Sequence, residues 1–179
     1  FDDQIGSVQV ASGLSEIRNV GRSRHRGWEF ATQVGMLGLF DWWQGSQLVS
    51  QVGEFSLFAN VMLLDAEFRA GPFEGKEPAY APDSLIRTGV EYAWRERFRA
   101  QLLTTVVAQS YANDNTSDFF VPAYAVWDLT MEADVYEDIV GAYFTVNNLF
   151  GADYWARVRS DGIDPAYGRS FYGGIKVKF

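Results

Sequence analysis

Residues 123–134 read AYAVWDLTMEAD, and every second side chain changes character. Ala123, Ala125, Trp127, Leu129, Met131 and Ala133 form one row, and Tyr124, Val126, Asp128, Thr130, Glu132 and Asp134 form the other. An extended strand sends successive side chains to opposite faces, so this pattern predicts one apolar face and one polar face. The same alternation recurs along the chain. Residues 27–36 give Trp28, Phe30, Thr32, Val34 and Met36 against Glu29, Ala31, Gln33 and Gly35. Residues 55–63 give Phe55, Leu57, Ala59, Val61 and Leu63 against Ser56, Phe58, Asn60 and Met62. Residues 84–94 give Ile86, Thr88, Val90, Tyr92 and Trp94 against Arg87, Gly89 and Glu91.

Residues 98–111 alternate less cleanly, because Leu103 and Val107 share the row of Arg99, Gln101 and Gln109. Residues 139–147 are apolar on both faces and read as a strand on their Val, Tyr, Phe and Thr content. The opening residues and the closing GRSFYGGIKVKF bring the expectation to about eight strands of roughly 9 to 15 residues. Soluble strands average about 5 or 6 residues, whereas tilted membrane strands need about 9 to 11. Asp, Glu, Lys and Arg are absent from the apolar rows until a strand ends, as at Asp65. Selection against charge is expected of a lipid-facing row, where a central Arg or Lys costs about 2–4 kcal/mol.

Connections predicted to be short lie at 95–97 (RER) and 135–138 (VYED), and long ones at 10–23, 70–83, 112–121 and 148–168. Short turns at one end and long loops at the other are the signature of an up-and-down outer-membrane barrel. The segment 37–52 departs from it, as a long connection at the short-turn end that reads as a short amphipathic helix or an aromatic-rich interfacial link.

Composition agrees. Among 179 residues there are 6 Trp, 9 Tyr and 14 Phe, an excess that suits strands and lipid–water interfaces. Net charge is −8, which argues against a nucleic-acid partner. With no Cys and a single His, His25, neither a cysteine nucleophile nor a His-cluster metal site is expected, and no Ser–His pair signals catalysis. The acidic groups at Asp2, Asp3, Asp114 and Asp118 lack the spacing of a calcium loop.

Five segments, in order, carry a family resemblance: NVGRSRHRGWEF (19–30), GKEPAYAPDSL (75–85), VPAYAVWDLT (121–130), FTVNNLFGADYWAR (144–157) and GRSFYGGIKVKF (168–179). Together they resemble the C-terminal barrel of a TonB-dependent outer-membrane receptor, nearest the branch of ferric-citrate and siderophore receptors. The resemblance implies an all-β, antiparallel, up-and-down segment of a 22-stranded barrel, with residues 1–179 as a single unit. No plug domain or TonB-contacting box is recognised in it, so the expectation is a C-terminal piece. The implied function is uptake of a ferric chelate with TonB-derived energy, with no cofactor and no catalysis. Implied partners are outer-membrane lipids and lipopolysaccharide, the barrel-assembly machinery, and the TonB complex through the absent N-terminal part.

Arg22, Arg24 and Arg26, read as loop residues, and Arg157 and Arg159 in the last long loop are the candidates for binding an anionic chelate, because guanidinium groups pair bidentately with carboxylates. Their alternative role is contact with lipopolysaccharide phosphates or with acidic neighbours. The terminal row Phe171, Ile175, Val177 and Phe179 resembles the assembly signal of outer-membrane proteins. A complete eight-stranded barrel of structural or adhesive role would require residues 1–9 to pair with 169–179. A soluble β-barrel binding module is the remaining alternative.

Overall fold

The computed structural model describes residues 4–11, 14–112, 119–136, 139–159 and 162–178. Phe179 and the acidic groups Asp2, Asp3, Asp114 and Asp118 lie outside them. Eight antiparallel strands build one sheet in chain order: β1 (Gln4–Ala11), β2 (Leu14–Gly35), β3 (Glu54–Ala70), β4 (Ser84–Trp94), β5 (Phe98–Val107), β8 (Tyr124–Tyr136), β9 (Val140–Asn147) and β12 (Ser170–Val177). Two small hairpins decorate the loops: β6 (Ser110–Tyr111) with β7 (Phe120–Val121), and β10 (Trp155–Arg159) with β11 (Gly162–Pro165).

Register confirms the two faces. Thr32, Ala59 and Thr88 lie side by side, followed by Thr104 and Trp127. Leu129 lies beside both Leu102 and Val146, and Val146 beside Phe171. This outward face carries no ionised side chain from Trp28 to Val34 on β2, nor from Phe55 to Leu63 on β3. The opposite face carries Glu29, Arg87, Glu91, Arg99, Glu132 and Lys176, with Arg99–Glu91 at 3.8 Å and Lys176–Glu132 at 3.4 Å. Glycines on this face make room for rings. A Cβ at Gly174 would meet the Tyr143 ring at 2.6 Å, and one at Gly89 would lie 2.1 Å from the Leu102 carbonyl oxygen and 2.8 Å from the Phe58 ring.

The sheet is open. β1 and β12 lie at opposite edges, so the pairing of 1–9 with 169–179 that a complete eight-stranded barrel needs is not formed among the described residues. The expected loop over 10–23 is also corrected. β1 and β2 form a hairpin there, Gln4 opposite Gly21 and Ala11 opposite Leu14, so β2 runs 22 residues and about 70 Å. Its lower part, Arg22 to Gly35, pairs with β3. Gly21, at φ +110°, marks the change of partner, and a Cβ there would overlap the Ala70 carbonyl. Arg22, Arg24 and Arg26 therefore sit on a strand rather than in a loop.

The connection after β2 is two helices, α1 (Met36–Gln44) and α2 (Leu48–Val52). Two carboxylates hold them. Glu54 accepts the Leu37 and Gly38 N–H groups at 2.8 and 2.7 Å, satisfying orphan donors of the first α1 turn. Asp41 accepts from Leu48 N–H at 2.8 Å, Val49 N–H at 2.9 Å and the Ser46 hydroxyl, which caps α2. Hydrogen bonds from Ser46 and then Val49 hold the Asp41 carboxyl below its ordinary pKa.

Candidate functional site

The long loops meet at one end of the sheet and are fastened together. Tyr80 anchors them: its N–H donates to the Tyr111 carbonyl (2.8 Å), its hydroxyl to the Val158 carbonyl (2.6 Å), and it accepts from the Val158 N–H (3.2 Å). Ala112 and Val121 of the loop before β8 and Val158 of the loop before β12 make a small apolar core between two loops, and Phe68 packs on Phe73. In the loop 71–83, burial, then Asp83 and Asp65, raise the pKa of Glu77.

Beneath the last long loop, on the polar face, lies a cavity of about 600 Å³. Tyr124 and Asp128 of β8 and Tyr172 of β12 form its floor, with Tyr154, Tyr167 and Arg169 of the loop around its rim. Tyr124 and Tyr154 stack with ring centres 4.5 Å apart. Asn148, only 3% exposed, holds the loop in place. It sits at φ 53°, a left-handed conformation that Asn tolerates better than most residues. Its side chain accepts the Ala152 N–H at 2.7 Å and donates to the Ala152 carbonyl at 2.8 Å and, more weakly, to that of Tyr167 at 3.5 Å. Its own N–H donates to Asp128 at 2.9 Å. The lining thus offers phenol hydroxyls, the amides of Asn147 and Asn148, aromatic faces, the Asp128 carboxylate and the Arg169 guanidinium, a polar aromatic set in which Arg169 is the group suited to pair with an organic anion. Among the described residues no group of three His, Cys, Asp or Glu side chains could hold a bare metal ion.

The arginines expected from the sequence fall in different places. Arg24 and Arg26 lie on the outward row directly above Trp28, opposite Glu67 and Asp65. Arg24 is 3.4 Å from Glu67 and 3.8 Å from Asp65; Arg26 is 3.8 Å from Asp65. Arg22, at the change of partner, is exposed. Arg157 is exposed on β10, outside the cavity. Arg159 ends β10, with its side chain outside what is described. Arg169, Tyr124, Tyr154 and Asn148 were missed by the sequence reading. Of the terminal row, Phe171, Ile175 and Val177 all point outward and are exposed.

Sheet, face pattern and loop placement have a counterpart among known proteins. Residues 1–149 match the family model described as TonB dependent receptor-like, beta-barrel. The chain belongs to that family. Its fold resembles the ferric citrate transporter FecA in its unliganded form, with TM-score 0.74, 20% identity, 88% of this chain and 24% of that one covered. It also resembles the copper transporter OprC, at TM-score 0.69 and 20% identity over 99% of this chain and 27% of that one. The ferric yersiniabactin uptake receptor FyuA from Yersinia pestis gives TM-score 0.66 and 16% identity, over 89% and 24%. The chain spans about a quarter of the length of these structures. No curated protein matches it in sequence. The family is one of outer-membrane transporters and receptors, not enzymes, and a β-barrel wall segment fits the open sheet.

Proposed function

We propose that this chain forms part of the wall and outer mouth of an outer-membrane transporter that takes up an anionic ferric chelate, of the citrate or siderophore kind, with energy delivered through TonB. The observation that carries the reading is the cavity under the last long loop, on the polar face that becomes the lumen when such a sheet closes. Tyrosine stacking surfaces and Arg169 suit a carboxylate- or catecholate-bearing ligand. Arg157 and Arg159, on the hairpin above it, form the outer approach, where a positive field raises the encounter rate. Arg24 and Arg26 serve the membrane boundary instead, with the phosphates of lipopolysaccharide as partners. Arg22, at the change of partner on β2, remains a candidate for the ligand. The terminal row Phe171, Ile175, Val177 and Phe179 serves recognition by the barrel-assembly machinery.

The test is uptake of radiolabelled iron chelates by iron-starved cells producing the intact protein or its Arg169→Ala and Tyr154→Ala variants at matched outer-membrane levels. A charged hydrogen bond contributes about 1.5–3 kcal/mol, so Arg169→Ala should weaken binding by roughly 10- to 100-fold. The proposal fails if no carboxylate or catecholate chelate is taken up. It also fails if both variants bind as the parent does.

A further inference from the structure

Helix α1 is built inside out. At 100° per residue, Met36, Leu39, Phe40, Trp42 and Trp43 share an arc of about 160°. In an ordinary surface helix that arc would be buried. Here Trp42 is 82% exposed, Trp43 75%, Leu39 52% and Phe40 43%. The polar residue Asp41 faces the protein instead, where it caps α2. This exposure belongs to a fixed helix. Glu54 clamps the first turn, and Gly45, at φ 69°, closes the C-terminus through its N–H to the Asp41 carbonyl (2.8 Å).

The exposed arc continues a surface already assigned to lipid. Val34, the last outward residue of β2, runs into Met36, and the Tyr92 hydroxyl donates to the Val52 carbonyl at 2.6 Å. Tyr92 itself packs between Phe55 and Phe98, with ring centres 4.6 and 6.2 Å away. With Trp94 these rings form an aromatic belt on the outward face at the short-turn end, where barrels meet the membrane surface. The charge pattern narrows the occupant. Asp41 is the only ionisable residue in 36–53, and its carboxylate is engaged within the protein. Nothing on the helix would attract an anionic lipid or a charged protein, whereas indole and phenyl rings settle at the boundary between headgroups and acyl chains.

We propose that α1 is an interfacial anchor, inserting Leu39, Phe40, Trp42 and Trp43 into the headgroup–acyl boundary of the bilayer leaflet at the short-turn end. The helix fixes how deep this part of the barrel sits. The inference rests on the membrane-barrel reading above, and its test separates the two. The intact protein is reconstituted into phosphatidylcholine vesicles carrying lipids brominated either near the headgroup or deep in the chain. Tryptophan emission is compared among the parent, Trp42→Phe/Trp43→Phe and Trp28→Phe, and difference spectra isolate each contribution. The Trp42/Trp43 difference spectrum should be lost with shallow-brominated lipid, retained with deep-brominated lipid, and insensitive to acrylamide in the water. If acrylamide quenches it and bromine does not, α1 stands in solvent and the anchor is refuted. If neither quenches it, protein covers the helix and the anchor is equally refuted. Quenching of Trp28 by brominated lipid in either case leaves the barrel reading standing; no quenching at Trp28 removes both.

Discussion

If the face carrying Leu129 meets lipid and the face carrying Thr130 meets water, one substitution at two adjacent positions should have very different costs. β8 spans 13 residues. At about 3.3 Å per residue and a tilt near 40–45°, that is about 30 Å of membrane height, one hydrocarbon core. Leu129, sixth in the strand and flanked by Leu102 and Val146, lies close to the midplane. Leu129→Arg should therefore cost about 2–4 kcal/mol, a factor of roughly 30 to 1,000 in the folding equilibrium. Thr130 faces the other way, beside Gln101 and Thr145, with its hydroxyl 3.4 Å from that of Thr145. Thr130→Arg loses one weak contact in a polar setting, a cost of about 1 kcal/mol or less. Ala133→Arg, outward but near the short-turn end, should cost about 0–1 kcal/mol, because the penalty falls towards the interface. The assay is folding of the intact protein from denaturant into phospholipid vesicles. Equal costs at 129 and 130, or a larger cost at 130 than at 129, would refute the assignment of faces. A flat profile from 129 to 133 would refute the depth.

Other sites give further expectations. Asn148→Ala removes the side-chain bonds to Ala152 and Tyr167 and leaves a plain Cβ at φ 53°, together about 2–4 kcal/mol of loop stability. Limited proteolysis within 148–169 should accelerate accordingly, and less in Asn148→Gly, which keeps the backbone conformation without strain. Asp41 has its pKa lowered by folding, so its contribution is present above the ordinary value of 3.8 and is lost as pH falls through the lower folded value. Amide exchange in α2 should hold steady down to about pH 4 and speed up below it, and Asp41→Asn should weaken α2 protection already at neutral pH. Glu77 shows the opposite sign. Its pKa is raised above 4.5, so its charge disfavours the folded loop at neutral pH and the penalty is relieved as pH falls. Glu77→Gln should slow amide exchange in the loop 71–83 at pH 7 and abolish that pH dependence.

Most of the sheet was legible because a strand with two unlike faces has a period of two, and rows such as Trp127–Leu129–Met131 carry it without interruption; 98–107 and 140–147 were legible mainly from their β-branched and aromatic content. The same signal failed at 10–23. That stretch is rich in Ser, Gly and Arg, a composition usual in loops, and β1 and β2 become strands there through pairing with each other. Arg22, Arg24 and Arg26 do alternate with Ser23 and His25, so the period was present. A row that carries Arg in place of apolar side chains does not show the contrast between faces by which the other strands are read. The two helices were half visible, as an aromatic run at the wrong end. What fixed them, Glu54 reaching back to Leu37 and Gly38, is a tertiary contact.

The cavity was invisible for a different reason. Tyr124, Asp128, Asn148, Tyr154 and Arg169 come from one strand and one loop spread over 46 positions, and no spacing rule joins them. Topology does, by placing β8, β9 and β12 side by side and returning the loop 148–169 across their polar face. The strand scaffold repeats a pattern that any barrel of the family needs, so it can be read from one chain. In the proposed reading, the lining of the mouth answers to a ligand rather than to the bilayer. In the sequence Arg157 and Arg159 stand out as a cationic pair in the last long loop, yet the guanidinium that borders the cavity is Arg169, next to the first residue of β12. Function therefore has to be sought where strand ends meet loops, and the first residues to test are those, such as Arg169, whose charge the strand pattern does not require.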